Sequence, residues 1–348
     1  MSALSPSATP TAPGGPTGDL ASAAPSAAAR TARRYAGFAL RRTGQALIVV
    51  VLAYVLVFLV LAAIPGDPIS ARLDDPQAGY SEAEKAQIRA FHGLDQPVLV
   101  QLVVSLSHAL TGDLGTSLST AQPVTAMLGA AIPSTLALAA TALALAVLIA
   151  AVLGLASRLL PEGPANTLVR SLPSVFLSTP SFLIGLVLIQ VLAVQAGLFS
   201  LVEPDSPGST LAAALTLAIP VSAQIAQVFI TALDEAADQD YAEVALARGL
   251  PPVGVVVRHL LRPSLLPTVT IVGLVLGEVL GGSLITEAIF GRAGVGTVVQ
   301  KAVAAQDVPV LLAAVVLSAL VFVLVNLVID LLYPLLDPRL RGPKEARR

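Results

Sequence analysis

The chain has few side chains whose chemistry could support catalysis. It contains no cysteine, which excludes thiolate metal sites, and its three histidines are dispersed, so a histidine cluster for a transition metal is not expected. A phosphate-binding loop needs Gly-Lys followed by Ser or Thr. The lysines here precede alanine or glutamate instead: Lys85, Lys301 and Lys344. We therefore predict no catalytic residue, no metal site and no cofactor, and we expect any ATP hydrolysis on separate subunits.

The most informative polar segment, residues 240–267, lies between two long apolar runs. On a helix, one face would carry mostly small, semi-apolar side chains: Ala237, Tyr241, Val244, Ala245 and Arg248. Gly249 suits a left-handed helix end, and the prolines at 251 and 252 force the chain to turn. This pattern predicts a docking surface for another protein. The alternative, an amphipathic helix in the lipid interface, is disfavoured because the segment begins with acidic residues.

The apolar run that follows carries two features that could act inside a membrane. Gly273, Gly277 and Gly281 recur every four residues, which predicts close helix packing or, alternatively, a face that slides between two states. Glu278 lies near the centre of the run, where inserting a carboxylate costs about 2.5–3.5 kcal/mol. It must therefore face protein or water, either as a functional site that meets a positive group or as a protonated packing residue. Glu287, at the end of the run, is our second candidate for a functional carboxylate.

The elements that must position these residues are membrane helices. Hydrophobic residues make up 55% of the chain and charged residues 12%, and mean hydropathy is +0.83. Crossing about 30 Å of hydrocarbon takes roughly 20 apolar residues. Six runs satisfy this length: 46–64, 134–157, within 171–202, within 206–233, 265–289 and 308–329. The sequence thus predicts an all-α membrane protein with six transmembrane helices.

The distribution of basic residues predicts the orientation. If the N-terminus is cytoplasmic, 15 of the 20 Lys and Arg residues fall on the inner segments. Both termini are therefore expected on the cytoplasmic side of the membrane. Residues 1–33, mostly Ser, Ala, Pro, Gly and Thr, are predicted to be a disordered tail, and residues 343–348 a short cytoplasmic tail.

The external segment, residues 65–130, is too long to be a plain connection. Ser81 and Glu84 form the pattern of a capping box that opens a short helix, and a second helix is predicted from Pro97 to about Leu110. We expect a small folded external cap.

Several motifs in one order resemble the membrane subunits of dipeptide/oligopeptide (and nickel) ABC importers. The similarity covers nearly all of residues 34–342. The motifs that carry it are Arg41-Arg42, PGDP (65–68), HGLDQPVLVQ (92–101), TGDLGTSL (111–118), PSTLAL (133–138), STPSF (178–182), the loop around 240–250, RHLLRPSLLPTVT (258–270), EAIFGRAGVG (287–296) and LVNLVIDLLYPLLDPRLRG (324–342).

This resemblance implies a type I ABC-importer permease fold over residues 34–342, in the plasma (inner) membrane of a bacterium. Glu278 and Glu287 would then be candidates for the translocation path, where Glu278 would meet the positive amino end of a passing peptide. The resemblance also implies a heterodimer with a second, homologous permease, two ABC ATPase subunits, an external peptide-binding protein and no nucleic acid. Within loop 234–266, the "EAA loop" of this family, a coupling helix would seat in an ATPase groove through Asp240, Tyr241, Glu243, Ala245, Ala247, Arg248 and Gly249. Gly112, Asp113 and Gly115 are either turn residues or contacts to the binding protein or the incoming peptide.

The expected function is therefore inward transport of short peptides, driven by ATP on partner subunits. A nickel-chelate importer of the same family is one alternative. A proton-coupled secondary transporter that uses Glu278 as its proton site is another, and it would need no ATPase.

Overall fold

The computed structural model describes residues 27–63, 81–91 and 95–336. The predicted tails at 1–26 and 343–348, and the PGDP motif, lie outside the described residues. The described chain is built from helices, and the bounds of α1 to α12 are Ala27–Ala63, Glu82–Phe91, Val98–Leu110, Val124–Leu159, Pro164–Ser178, Ser181–Leu188, Pro207–Ala237, Asp240–Ala247, Pro252–Val255, Leu261–Phe290, Val295–Ala304 and Val308–Leu336. Two π-helical segments, Ile189–Gln195 and Val256–Leu260, continue α6 and join α9 to α10.

The chain forms two units, residues 1–45 and 46–348. The described part of the first unit, residues 27–45, is helical. Residues 27–33, the last part of the predicted tail 1–33, lie in this helix. Their sequence, AAARTAR, is dominated by alanine and arginine, which are among the strongest helix formers.

Five described helices are long and apolar enough to cross a membrane: Thr43–Ala63 within α1, α4, α7, the continuous stretch Pro252–Phe290, and Val308–Val325 within α12. The third predicted span is bent by 102° between α5 and α6. The break falls at Thr179 and Pro180, because proline disfavours helical geometry in the residue before it and cannot donate a backbone bond. If the bent pair α5–α6 is counted as one span, the structure contains all six predicted spans.

The core of the second unit is formed where α4 and α7 pack side by side. The buried residues there are mostly alanines, such as Ala142, Ala146, Ala214 and Ala218. A Cβ added to Gly154 would lie 2.2 Å from the Phe229 ring, so these two helices touch backbone to side chain at that point. Small residues at helix interfaces are typical of membrane proteins, because lipid gives no hydrophobic drive for helix association.

The two helices predicted in the external segment are present. The amide of Ser81 donates to Glu84 Oε2 at 2.8 Å, and the amide of Glu84 donates to Ser81 Oγ at 3.3 Å. This reciprocal pair is the predicted capping box, and it begins α2. The second helix, α3, packs its inner face against α1 and α12, where Tyr54, Phe58 and Leu312 are buried.

Candidate functional site

The predicted docking segment forms α8 followed by a sharp turn. Gly249 has φ +82°, the left-handed conformation, and the amide of Leu250 donates to the carbonyl of Ala245 at 3.2 Å. Only glycine adopts this conformation without steric cost, so the residue that ends the helix is fixed by its backbone geometry. Pro252 then begins α9.

One face of α8 is packed against the body of the protein. Ala242 and Ala245 are buried in a cluster with residues from the end of α7 and the start of the next span, including Leu233, Val256 and Leu260. Ala245, expected at the surface facing a partner, is largely buried but still lines the cleft on the exposed side of α8. Its small side chain lets α8 lie close to both neighbouring spans.

The opposite face of α8 is exposed. It presents Asp240, Tyr241, Glu243, Val244, Ala247 and Arg248. Tyr241 and Val244 are 42% and 47% exposed, which is high for apolar side chains next to a packed helix. A cleft of about 420 Å³ lies along this face.

His259 and Leu250 complete the lining of this cleft, and the sequence did not suggest either of them. His259 lies on the π-helical segment after α9, whose altered helical register cannot be foreseen from residue spacing.

Three charged residues join the end of α4, the middle of α5 and the end of α7. Arg170 binds both carboxylate oxygens of Asp234, at 2.7 Å and 3.0 Å, and Arg158 binds the same carboxylate at 3.1 Å. Asn166 supports the cluster by accepting a hydrogen bond from Arg170 Nε at 3.0 Å. The motion of any one of these helices is therefore tied to that of the other two.

Glu278 lies on an exposed surface of α10. Its Oε2 accepts a hydrogen bond of 2.6 Å from Gln224 Nε2 on α7. Gln227 and Thr231 are also exposed further along α7. A membrane-spanning pair of helices thus presents polar groups on an outer surface of this subunit.

Glu287, our second candidate for the path, is fully buried instead. Its carboxylate accepts the amide of Gly296 at 2.7 Å, and it occupies the space that a Cβ on Gly294 would need, 2.2 Å away. Gly291, with φ +66°, ends α10 just before. The glycines and the glutamate of the EAIFGRAGVG motif thus form one tight turn, and Glu287 lines no surface in this conformation.

Arg292, in the same turn, is buried and was not singled out from the sequence. Its guanidinium donates to the carbonyl of Pro204 and the hydroxyl of Thr210, both at 2.8 Å, and lies 3.2 Å from Asp205. It therefore anchors the turn to the segment that precedes α7.

The three glycines of α10 have different surroundings. Gly273 is buried, and a Cβ on Gly277 would lie 3.2 Å from the ring of Phe322 on α12. Gly281 has open space around it, whereas its neighbour Gly282 packs on Leu217 of α7. Of Gly277 and Gly281, four residues apart, only Gly277 therefore packs against a described residue of α12.

The TGDLGTSL segment forms a pair of turns. Gly112 and Gly115 have φ +86° and +76°, and Asp113 accepts the amide of Gly115 at 3.0 Å. All three residues are exposed. The glycines are needed there because both positions are left-handed.

The buried carboxylate of Asp307 holds the rest of this segment, a contact the sequence did not reveal. It accepts the hydroxyls of Ser117 and Ser119 at 2.5 Å and 2.8 Å, and the amides of Leu118 and Ser119, both at 3.1 Å. Burial alone would raise the pKa of Asp307, but these hydrogen bonds lower the pKa by more, so that it lies below its ordinary value.

Comparison with known proteins gives a consistent match. Residues 150–342 match the family described as "Binding-protein-dependent transport system inner membrane component". The chain is 35% identical over 288 residues to the glutathione transport system permease protein GsiC of Salmonella typhimurium, covering 82% of this chain and 93% of the relative. The GsiC of Pectobacterium atrosepticum is also 35% identical, over 290 residues, with the same coverage.

The architecture also has a solved counterpart. A chain of the MetNI methionine ABC transporter, in an inward-facing conformation, superimposes with a TM-score of 0.53 and 20% identity, covering 62% of this chain and 98% of that one. At this identity the similarity establishes a shared fold alone.

Proposed function

Because the chain belongs to the family of inner-membrane components of binding-protein-dependent transport systems, the permeases of ABC importers, we propose that it carries short peptides into the cell, driven by ATP hydrolysis on partner subunits. The relatives in Salmonella and Pectobacterium are named for transport of glutathione, and glutathione is a short peptide. We further propose a heterodimer with a second permease, two ATPases, an external peptide-binding protein, and both termini in the cytoplasm.

The observation that carries the proposal is the two-sided construction of α8. Its exposed face, with Tyr241, Val244 and Arg248 around a cleft, is suited to an ATPase groove. Its buried face packs through Ala242 and Ala245 on the ends of two membrane spans. A displacement of α8 would therefore be passed to both spans rather than absorbed by a flexible loop.

The ion-pair cluster extends this connection. Asp234, near the end of α7, is bound by Arg158 of α4 and Arg170 of α5. In the proposed mechanism, closure of the ATPases moves α8, and these three helices tilt together.

The surface around Glu278 is our proposed wall of the translocation path. Polar and ionisable groups within membrane spans face protein or water-filled cavities, because their exposure to lipid is costly. Glu278 and Gln224 would face the second permease across this path, and the carboxylate would meet the ammonium group of a passing peptide. We do not include Glu287 in the path, because it is buried within a turn.

The coupling of α8 to the ATPases can be tested by replacing an apolar side chain on its exposed face with a charged one. In transporters reconstituted with their candidate ATPases, Val244→Arg should abolish ATP-coupled uptake and reduce co-purification of the ATPases. Glu162→Arg is a matched control, since Glu162 is exposed in the loop between α4 and α5, near the same helix ends.

Two results would contradict the proposal. One is full ATP-coupled uptake by the Val244→Arg transporter. The other is uptake by the unaltered protein that needs no ATPase and collapses with the proton gradient, which would favour a proton-coupled transporter.

A further inference from the structure

Helix α3 exposes an apolar face that the proposed transport mechanism does not use. Leu99, Val103 and Leu110 are 70%, 66% and 64% exposed. His108 is its only ionisable residue. So apolar a face is unusual for a helix surrounded by water, and the question is what covers it.

The depth of α3 can be measured against α1. Its inner residues Leu102 and Leu106 pack against Tyr54 and Phe58, and the Tyr54 hydroxyl is hydrogen-bonded to that of Ser105. Tyr54 precedes the end of α1 at Ala63 by nine residues, which at a rise of about 1.5 Å per residue corresponds to about 14 Å. Tyr54 also lies near the middle of the uncharged span Thr43–Ala63.

Helix α12 gives a second, independent measure of the depth of α3 in the membrane. The cluster beneath α3 includes Leu312 and Val316. These residues follow the start of α12 at Val308 by four and eight positions, or about 6 Å and 12 Å along the helix. Both spans therefore place α3 beside their membrane-crossing parts, within half the thickness of a hydrocarbon core of about 30 Å.

Two polar side chains of α3 form hydrogen bonds within the helix region itself. Ser107 donates to the carbonyl of Val104 at 2.7 Å, and the side chain of Gln101 donates to that of Gln96 at 2.8 Å. Pro97, before the first turn, has no amide hydrogen to satisfy. Such internal satisfaction is what a hydrocarbon environment requires.

We propose that α3 is embedded in one leaflet of the bilayer and that its exposed face contacts lipid acyl chains. The spans that α3 packs on also expose apolar side chains, among them Leu56 and Val60 on α1 and Leu320 on α12. The segment predicted as an external cap thus includes a half-membrane helix. The inference needs only that α1 and α12 span the membrane, so it holds whatever the solute.

Site-directed spin labelling can test this directly, because the chain has no native cysteine. Val103→Cys and Leu99→Cys would be labelled in the full chain, purified with the subunits it retains and reconstituted into phosphatidylethanolamine–phosphatidylglycerol liposomes. Thr120→Cys, in the exposed loop after α3, is the matched control. Collision rates with oxygen, which partitions into lipid, and with a water-soluble nickel chelate would be compared.

We expect the labels at 103 and 99 to collide several-fold more with oxygen than with the nickel chelate, and the label at 120 to show the reverse. Greater access of the chelate to 103 and 99 would overturn the proposal in favour of a water-exposed cap. Protection from both reagents would also overturn it, and would indicate that a protein subunit covers α3. Two labelled positions keep the test valid if one variant fails to fold.

Discussion

Replacing Asp307 with asparagine should release the TGDLGTSL segment from its anchor. The Oδ2 atom of Asp307 accepts three of the four hydrogen bonds, from the hydroxyls of Ser117 and Ser119 and the amide of Ser119. An asparagine whose Oδ1 stays on the amide of Leu118 would point an amino group at these donors. The hydroxyls can rotate to accept, but the Ser119 amide cannot.

The magnitude follows from that one amide. A hydrogen bond to a charged acceptor contributes about 1.5–3 kcal/mol, and a buried donor left unsatisfied costs a similar amount. We therefore expect the free energy of local opening to fall by about 1.5–3 kcal/mol in Asp307→Asn. Hydrogen exchange of the Leu118 and Ser119 amides, followed by mass spectrometry, should accelerate roughly 10- to 150-fold.

The effect should depend on pH in a defined direction. Because the folded-state pKa of Asp307 is lowered, its stabilisation is complete above the unfolded value of about 3.9 and is lost as pH falls through the folded value. The difference between the original protein and Asp307→Asn should thus be constant near neutral pH and shrink only below about pH 4. Asp113→Asn, which removes an exposed carboxylate from the same loop, is the control and should leave these amides protected. Equal exchange rates at Leu118 and Ser119 in the original and Asp307→Asn proteins would refute the reasoning.

Two further predictions concern the spans. Gly154→Val should destabilise the protein by about 1–3 kcal/mol through a clash with the Phe229 ring, seen as a lower thermal midpoint in detergent. Phe229→Leu in the same chain should restore part of the loss, whereas no rescue would mean that this contact is not the cause. Glu278→Gln should reduce uptake of peptides with a free amino terminus by about tenfold, or ~1.4 kcal/mol, and leave uptake of N-acetylated peptides unchanged. An equal loss for both substrates would argue against an ammonium contact at Glu278.

Much of the architecture could be predicted because its signals are local. Apolar runs of sufficient length predicted the spans, five of them uncharged and one interrupted by Glu278. Ser81 and Glu84, three residues apart, predicted the start of α2. The end of α8 was predicted at Gly249 because a left-handed residue after a helix has a strong chemical preference. In each case the residues that determine the structural feature lie within the same short stretch of sequence as the feature itself.

The anchoring charges could not be predicted, because their partners are distant. Ser117 and Asp307 are 190 residues apart, and Arg292 is 88 residues from the carbonyl of Pro204. Asp234 meets Arg170 across 64 residues. These anchoring residues share only a weak sequence signal. Each is a charged residue close to an apolar run, and its partner lies on another element. Isolated charges beside membrane spans therefore indicate tertiary contacts without indicating which residue completes them.

Hydropathy also could not separate the packed faces of the spans from the exposed ones, and the reason is physical. In a soluble protein the buried face of a helix is the more apolar one, so periodicity marks it. Here the buried face of α4 carries Ala142, Ala146 and Ala150, while its exposed face carries Leu148 and Val152. Both faces are apolar, and they differ in size rather than polarity. In a span of this kind, small side chains at helical spacing predict the packed face better than hydrophobicity does, because close approach of the backbones is what stabilises the interface.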